Sequence, residues 1–267
     1  VEFSVKCNQF SSEEWVSAIS TVDGKKYNQE VRYISYDHIP IQTVMRPNKA
    51  KFTKLNITTI GKNIGYIMGA GDEIPQALRQ LGYSVKLLND NDITKEGLRQ
   101  FDAIITGIRV YNTNERMTFY QRILYDYVNE GGTLIVQYNN NSELYLNDLA
   151  PYTMKLSRDR VTKEDAKITI IKPNHWVMNH PNKITEKDFD GWVQERGLYF
   201  ANQWDTTNLE AILGCNDPNE PLREGGMLVG NYGKGKYIFT AYSWFRQLPA
   251  GVSGAYRIFA NMISGNK

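Results

Sequence analysis

The sequence predicts an α/β fold, an open, doubly wound and mostly parallel sheet, and three observations carry that reading. Strand-like and helix-like stretches alternate four times between residues 64 and 137. The strand at 103–106 is apolar on both faces, as strands are when helices cover a sheet on either side. The connections are only a few residues long, which suits right-handed crossovers.

Taken in order, residues 1–57 are irregular, with short extended pieces at 30–35 and 51–55. They read as an N-terminal extension or small β subdomain ahead of an α/β domain spanning 58–267. The domain opens on Ile64-Gly65-Tyr66-Ile67-Met68, a short apolar strand, followed by the loop Gly69-Ala70-Gly71-Asp72 and a helix over 73–80. Asp72 suits the N-cap, where a carboxylate accepts from the unpaired amides of the first turn. Pro75 is tolerated that early, and Gly82 closes the helix. A second strand follows at 84–88 and a short helix at 94–100. Tyr120, Ile123, Leu124, Tyr127 and Val128 then fall at the spacing of an amphipathic helix, which Gly131-Gly132 ends before the strand 133–137. Beyond Asn139-Asn140-Asn141 the chain turns polar, with candidate strands at 168–171, 198–200, 227–229 and 237–241. The last two form a hairpin around Tyr232-Gly233-Lys234-Gly235, and a closing helix over 254–264 buries Tyr256, Phe259, Met262 and Ile263.

Composition narrows the function. With 267 residues and 41% hydrophobic side chains, 12% of the total aromatic, the chain can remove roughly three quarters of its unfolded surface from water, so a disordered or collagen-like class is excluded. The formal charge of +2 is too balanced for the counterion release on which nucleic-acid binding depends. No run approaches the roughly eighteen apolar residues of a transmembrane helix, and mean hydropathy is −0.48. Cys7 and Cys215 form no CxxC or His/Cys cluster, and no metal site or disulfide framework is expected from them. The chain begins at Val1, which reads as a mature form or an excised fragment.

In such sheets ligands bind beyond the carboxyl ends of the strands. Four loops are selected by that rule: Gly69-Ala70-Gly71-Asp72, Arg109-Val110-Tyr111-Asn112, Tyr138-Asn139-Asn140, and Trp244-Phe245-Arg246-Gln247-Leu248-Pro249. Their mixture of donor-rich side chains and rings suits a neutral hydroxylated ligand such as a sugar. The first loop lacks the G-x-G-x-x-G spacing, and Asp72 would put negative charge where a pyrophosphate should sit, so no nucleotide cofactor is expected. Gly233-Lys234-Gly235-Lys236 is read as a hairpin turn rather than a P-loop. Related hydrolases place a nucleophile on the bend after the fourth strand. Here that bend holds Tyr138-Asn139-Asn140, and Ser142 lacks a G-x-S-x-G frame. Cys215 reads as an inert small side chain, and His38 as part of a turn. His175 and His180 are not expected to share a helix face, because Pro181 intervenes. Asp188, Asp190, Glu195 and Arg196 gather around Trp192, which fits a charge network, a binding platform or a glycosidase-type acid pair.

The stretches 64–72, 107–112, 131–139, 188–199 and 245–251 together resemble the C-terminal region of large bacterial PIG-L/LmbE-type proteins, a region similar to class I glutamine amidotransferase and ThuA-like domains. The resemblance covers the chain from about Tyr33 onward and implies a flavodoxin-like sheet. It also implies a separate zinc-dependent N-deacetylase domain in the same parent protein as a partner, and a periplasmic or secreted location. The deacetylase motif has no counterpart here, the nearest text being Asn179-His180-Pro181-Asn182. The amidotransferase triad is not carried over either: its cysteine is replaced around Asn139, and its His-Pro-Glu position by Phe245-Arg246-Gln247.

The expectation is therefore a non-catalytic, amidotransferase-like domain that binds a ligand or docks another domain. Its candidate binding residues are Asp72, Arg109, Tyr111, Asn112, Tyr138, Asn139, Asn140, Glu195, Arg196 and Arg246. A hydrolase using Glu195 or Asp190 beside Arg246 is the alternative. A purely architectural domain, with Trp192, Trp204 and Trp244 as core or interface, is a third.

Overall fold

A computed structural model describes residues 13–265, so Cys7, expected above to join no disulfide or metal site, lies outside the described residues. The chain divides into two units, Val1–Asn56 and Ile57–Lys267.

In the first unit the described residues form three antiparallel ribbons. Glu13–Val16 pairs with Ala50–Thr53, Ser20–Val22 with Lys25–Tyr27, and Gln29–Tyr36 with Ile39–Pro47. Asp23 and Gly24, both at positive φ, make the two-residue turn of the second ribbon. That Asp-Gly pair carries the left-handed conformation a tight hairpin needs. Asp37 and His38 make the turn of the third ribbon, in keeping with the turn expected at His38.

The second unit holds a seven-stranded mixed sheet. Its elements are β1 (Asn63–Ile67), α1 (Ile74–Gln80), β2 (Ser84–Leu87), α2 (Lys95–Leu98), β3 (Ala103–Thr106), α3 (Val110–Thr113), α4 (Met117–Asn129), β4 (Thr133–Gln137), β5 (Glu210–Ala211), β6 (Met227–Tyr232), β7 (Gly235–Thr240), α5 (Trp244–Gln247) and α6 (Ser253–Ser264). The spatial order is β5-β6-β7-β4-β3-β1-β2. The strands β7, β4, β3, β1 and β2 run parallel, while β6 and β5 add an antiparallel edge. Chain order reverses after β2, which puts the switch point between β1 and β3, and this is the doubly wound α/β architecture the sequence predicts.

Its central strands form because they are apolar on both faces. Every residue of β3 and β4 is buried, and so are residues 64–67 of β1. Helix α4 turns Met117, Tyr120, Leu124, Tyr127 and Val128 inward, and Gly131, at φ 120°, ends the turn beyond it. The close approach at Gly132 requires glycine, since a Cβ there would lie 2.2 Å from the Tyr127 ring. Helix α6 is buried along nearly its whole length and packs on β4. Between β4 and β6 the long polar connection folds into small antiparallel pairs: Met154–Leu156 with Ala201–Trp204, Arg160–Val161 with Gly197–Leu198, and Ile168–Ile170 with Leu213–Cys215. Where a single strand at 198–200 is expected, the chain makes two short ones, broken at Tyr199, whose φ of 57° no continuous strand allows.

Candidate functional site

Two neighbouring regions at the carboxyl ends of the strands behave differently. At the switch point the loops after β1 and β3 are zipped together: Gly107 N–H donates to Ile67 O (2.8 Å) and Ala70 N–H to Ile108 O (2.9 Å). Gly69 permits this, because a Cβ there would stand 2.1 Å from Ile108 O. Asp72 fills what remains. Its carboxylate accepts from Ile74 N–H (3.1 Å), from Ile108 N–H (3.3 Å), and from the buried Tyr66 hydroxyl, which lies 2.7 Å from both oxygens. Gln137 Nε2 in turn donates to the Tyr66 oxygen (3.0 Å) and to Thr106 O (3.1 Å). Burial raises the Asp72 carboxyl above its ordinary range against these hydrogen bonds, and burial followed by the Asp72 charge pushes the Tyr66 phenol well up. Asp72 is thus not the N-cap itself. Glu73 holds that position without a side-chain bond, and Asp72 reaches the helix amide from one residue earlier. The amides that could hold a ligand anion here already hold the chain's own carboxylate.

Beyond β4 three rings close on one another, Tyr138 buried and Tyr199 and Phe245 half-buried. Tyr138 leaves the strand with its ring stacked on Phe245 (centroids 5.7 Å apart, 20° between planes) and on Tyr199 (6.0 Å, 21°). Depressions flank this three-ring platform. One, of about 740 Å³, lies by Met68, Asp72, Gln194, Phe245, Arg246 and Pro249. The other, of about 610 Å³, is lined by Tyr138, Asn140, Arg158, Arg160, Leu198 and Tyr199. Helix α5 fixes the platform's base. The Trp244 indole N–H donates to Thr240 Oγ1 (2.7 Å), and the ring packs edge-on against Trp192 and Phe259. Gln247 grips the facing loop, accepting from Val193 N–H (2.8 Å) and donating to Val193 O (3.0 Å). Arg109, Gln194 and Tyr199 all sit at positive φ around the platform. For a non-glycine residue such a conformation costs about 1–3 kcal/mol and is held only by its surroundings.

The sequence-selected residues divide between these settings. Tyr138, Asn140, Arg109, Glu195 and Arg246 gather at the platform, where the Arg109, Glu195 and Arg246 charges all act on the Tyr138 phenol; burial is the main cause of its raised pKa. Glu195 accepts from Arg246 Nε (2.6 Å), and the Arg246 guanidinium lies 4.8 Å from the Phe245 ring centroid. The side chains of Tyr111, Asn112, Asn139 and Arg196, by contrast, are engaged within the protein as braces. Tyr111 is wholly buried. Asn139, also wholly buried, accepts from Tyr111 N–H (2.9 Å) and donates to Gln137 O (2.8 Å). Asn112 clamps the same bend, accepting from Asn140 N–H (2.9 Å) and donating to Ser142 O (2.8 Å). Buried Arg196 donates to Ala166 O and Phe189 O and lies over the Trp192 ring. Its side chain is a strut between loops, because a desolvated guanidinium must find acceptors and here finds carbonyls.

Of the remaining candidates, Asp188 pairs with Arg257 (2.8 Å) and caps its own short helix, while Asp190 is exposed. Burial pushes the Cys215 thiol up to about 12, which leaves it protonated and inert at neutral pH. Trp192 and Trp244 are core, and Trp204 is half-buried. Among the described residues no group of three or more His, Cys, Asp or Glu is placed to hold a metal ion, and no helix is long and apolar enough to cross a membrane. Sequence reading missed Arg158, Arg160 and Tyr199 as lining residues. Their signal is the long-range pairing of 160–161 with 197–198, which no local pattern reveals.

No protein-family model matches the chain, and no curated protein sequence does. Among solved structures it is similar to a cytoplasmic protein from Salmonella typhimurium (13% identity, 96% of this chain and 97% of that one, TM-score 0.50). It is also similar to a GMP synthase-type protein from Thermoplasma acidophilum (8%, 78% and 96%, TM-score 0.48) and to a ThuA-like protein from Bacteroides uniformis (11%, 75% and 89%, TM-score 0.47). The likeness is one of fold.

Proposed function

We propose that the chain is a non-catalytic, amidotransferase-like recognition domain that binds a hydroxylated, sugar-type ligand on the Tyr138 platform. The observation that carries this reading is the state of the bend after β4. Its central residue, Asn139, is buried with both ends of its amide engaged by backbone, while beside it the half-buried rings of Tyr199 and Phe245 stack on the buried Tyr138 with a depression on either side. Aromatic faces take the apolar face of a sugar ring, and Asn and Arg side chains read its hydroxyls. The accessory role beside a PIG-L/LmbE-type deacetylase domain belongs to the same proposal and rests on the sequence resemblance. For the hydrolase alternative Glu195 does stand beside Arg246, but neither Glu195 nor Asp190 lines either depression.

Calorimetric titration with glucose, N-acetylglucosamine and a disaccharide tests the reading. Saturable binding that is lost in Tyr199→Ala and Phe245→Ala is expected. Absence of binding by every sugar overturns the ligand assignment. Hydrolysis of acetylated or glycosidic substrates that disappears in Glu195→Gln would overturn the non-catalytic one.

A further inference from the structure

The Arg158 and Arg160 side of the platform has a charge pattern that a neutral sugar does not use. Residues 157–161 are laced to 197–200: Ser157 N–H donates to Phe200 O (2.9 Å), Phe200 N–H to Asp159 O (2.9 Å), and Arg160 pairs in register with Leu198. Arg158, in a bend, and Arg160, in the short strand that follows, both line one depression, which Asp159 between them does not. Asp159 is engaged elsewhere, its carboxylate 3.2 Å from Arg223. The acid nearest the two arginines in sequence is therefore paired with a different cation. Both guanidinium groups are exposed, and among the described residues neither has an ion-pair partner. No Asp or Glu lines the 610 Å³ depression they share with Tyr138, Asn140 and Tyr199.

Arg109 also acts on the Tyr138 phenol, and its Nε is buried without a hydrogen-bond partner; the one acid acting on that phenol, Glu195, is paired with Arg246. A chain whose formal charge is only +2 has thus gathered unneutralised guanidinium groups at the edge of a stacked aromatic surface. Tyr199, at φ 57°, lines this depression with its ring stacked on Tyr138 (21° between planes).

We infer that the depression beside Arg158 and Arg160 takes the anionic group of an acidic sugar, whose ring lies against the half-buried Tyr199. The inference rests on the platform reading above and names its ligand class. The planar guanidinium fork matches carboxylate, sulfate and phosphate oxygens, and a forked pair fixes orientation as well as affinity.

Glucose, glucuronate and glucose 6-sulfate are titrated calorimetrically into the protein, into Arg158→Gln/Arg160→Gln and into the charge-matched control Arg122→Gln/Lys187→Gln. Glucuronate or glucose 6-sulfate is expected to bind at least about tenfold tighter than glucose, with the advantage shrinking as salt is raised. The ratio should collapse in the Arg158/Arg160 variant and persist in the control, each with unchanged circular dichroism and Tm. Preference for the carboxylate or for the sulfate identifies the source of the anion. Equal binding of glucose and both acids, or a ratio that falls equally in the control, overturns the inference and leaves the platform reading standing. Absence of binding by all three sugars overturns both.

Discussion

The two regions at the carboxyl end of the sheet solve the same chemical problem in opposite ways. At the switch point, exposed helix and loop amides would attract an anion, and the chain supplies one of its own in Asp72, locked by Tyr66 and by the amides of Ile74 and Ile108. At the platform, guanidinium groups and rings are assembled with no internal anion opposite Arg158 and Arg160. At a position that in this fold commonly binds ligands, the loop amides are thus occupied by one half-buried carboxylate. The neighbouring surface is left available because Asn112, Asn139 and Arg196 absorb the polar demands of the loops beneath it.

The strongest way to break this contrast is from below the platform. Trp244→Ala removes a wholly buried ring and its bond to Thr240, and a loss of about 3–5 kcal/mol in denaturant unfolding is expected. Platform binding should fall with it. Gly69→Ala attacks the closed side, since its new Cβ meets Ile108 O and Val110 N. Backbone cannot give way there as a flexible side chain can, and a loss of about 1–3 kcal/mol is expected.

A pH series sharpens the comparison further. Because Asp72 has a folded pKa above the unfolded 3.8, the folded state holds a proton that the unfolded state has already released. Stability from this group is therefore fully present below 3.8, falls as pH rises toward the folded value, and is level above it. The stability of the wild type minus that of Asp72→Asn should decline over that window. A difference that grows with pH would show that Asp72 is better solvated than its burial implies. The smallest stability effect is expected at Tyr199→Gly, where relief of the left-handed backbone offsets the lost ring contact, leaving stability within about 1 kcal/mol of wild type. Sugar binding should nevertheless be lost, separating a residue held for recognition from one held for folding.

Much of the sheet was legible because its signals are local. Apolar runs at 64–67, 103–106 and 133–137, the spacing of Tyr120 through Val128, and the Gly131-Gly132 stop each act within a few residues. The site was only partly legible, since residue type does not say which backbone group a polar side chain will reach. Asn139 and Arg196 have the chemistry of ligand-readers and are used as braces. Arg158 and Arg160 sit in a stretch with no motif, and they gain their setting only when the chain returns about forty residues later to pair Arg160 with Leu198. The ribbon turn at Asp23-Gly24, in a region read only as irregular, rests on a short-range Asp-Gly signal.

Amide chemical-shift mapping during titration with glucuronate tests the central contrast most directly. The shifts are expected to centre on Tyr138, Asn140, Arg160 and Tyr199, with the Ile74 and Ile108 amides, already bonded to Asp72, left unmoved. Shifts centred on Ile74 and Ile108 would mean that the ligand displaces Asp72 and that the closed crevice is the true site.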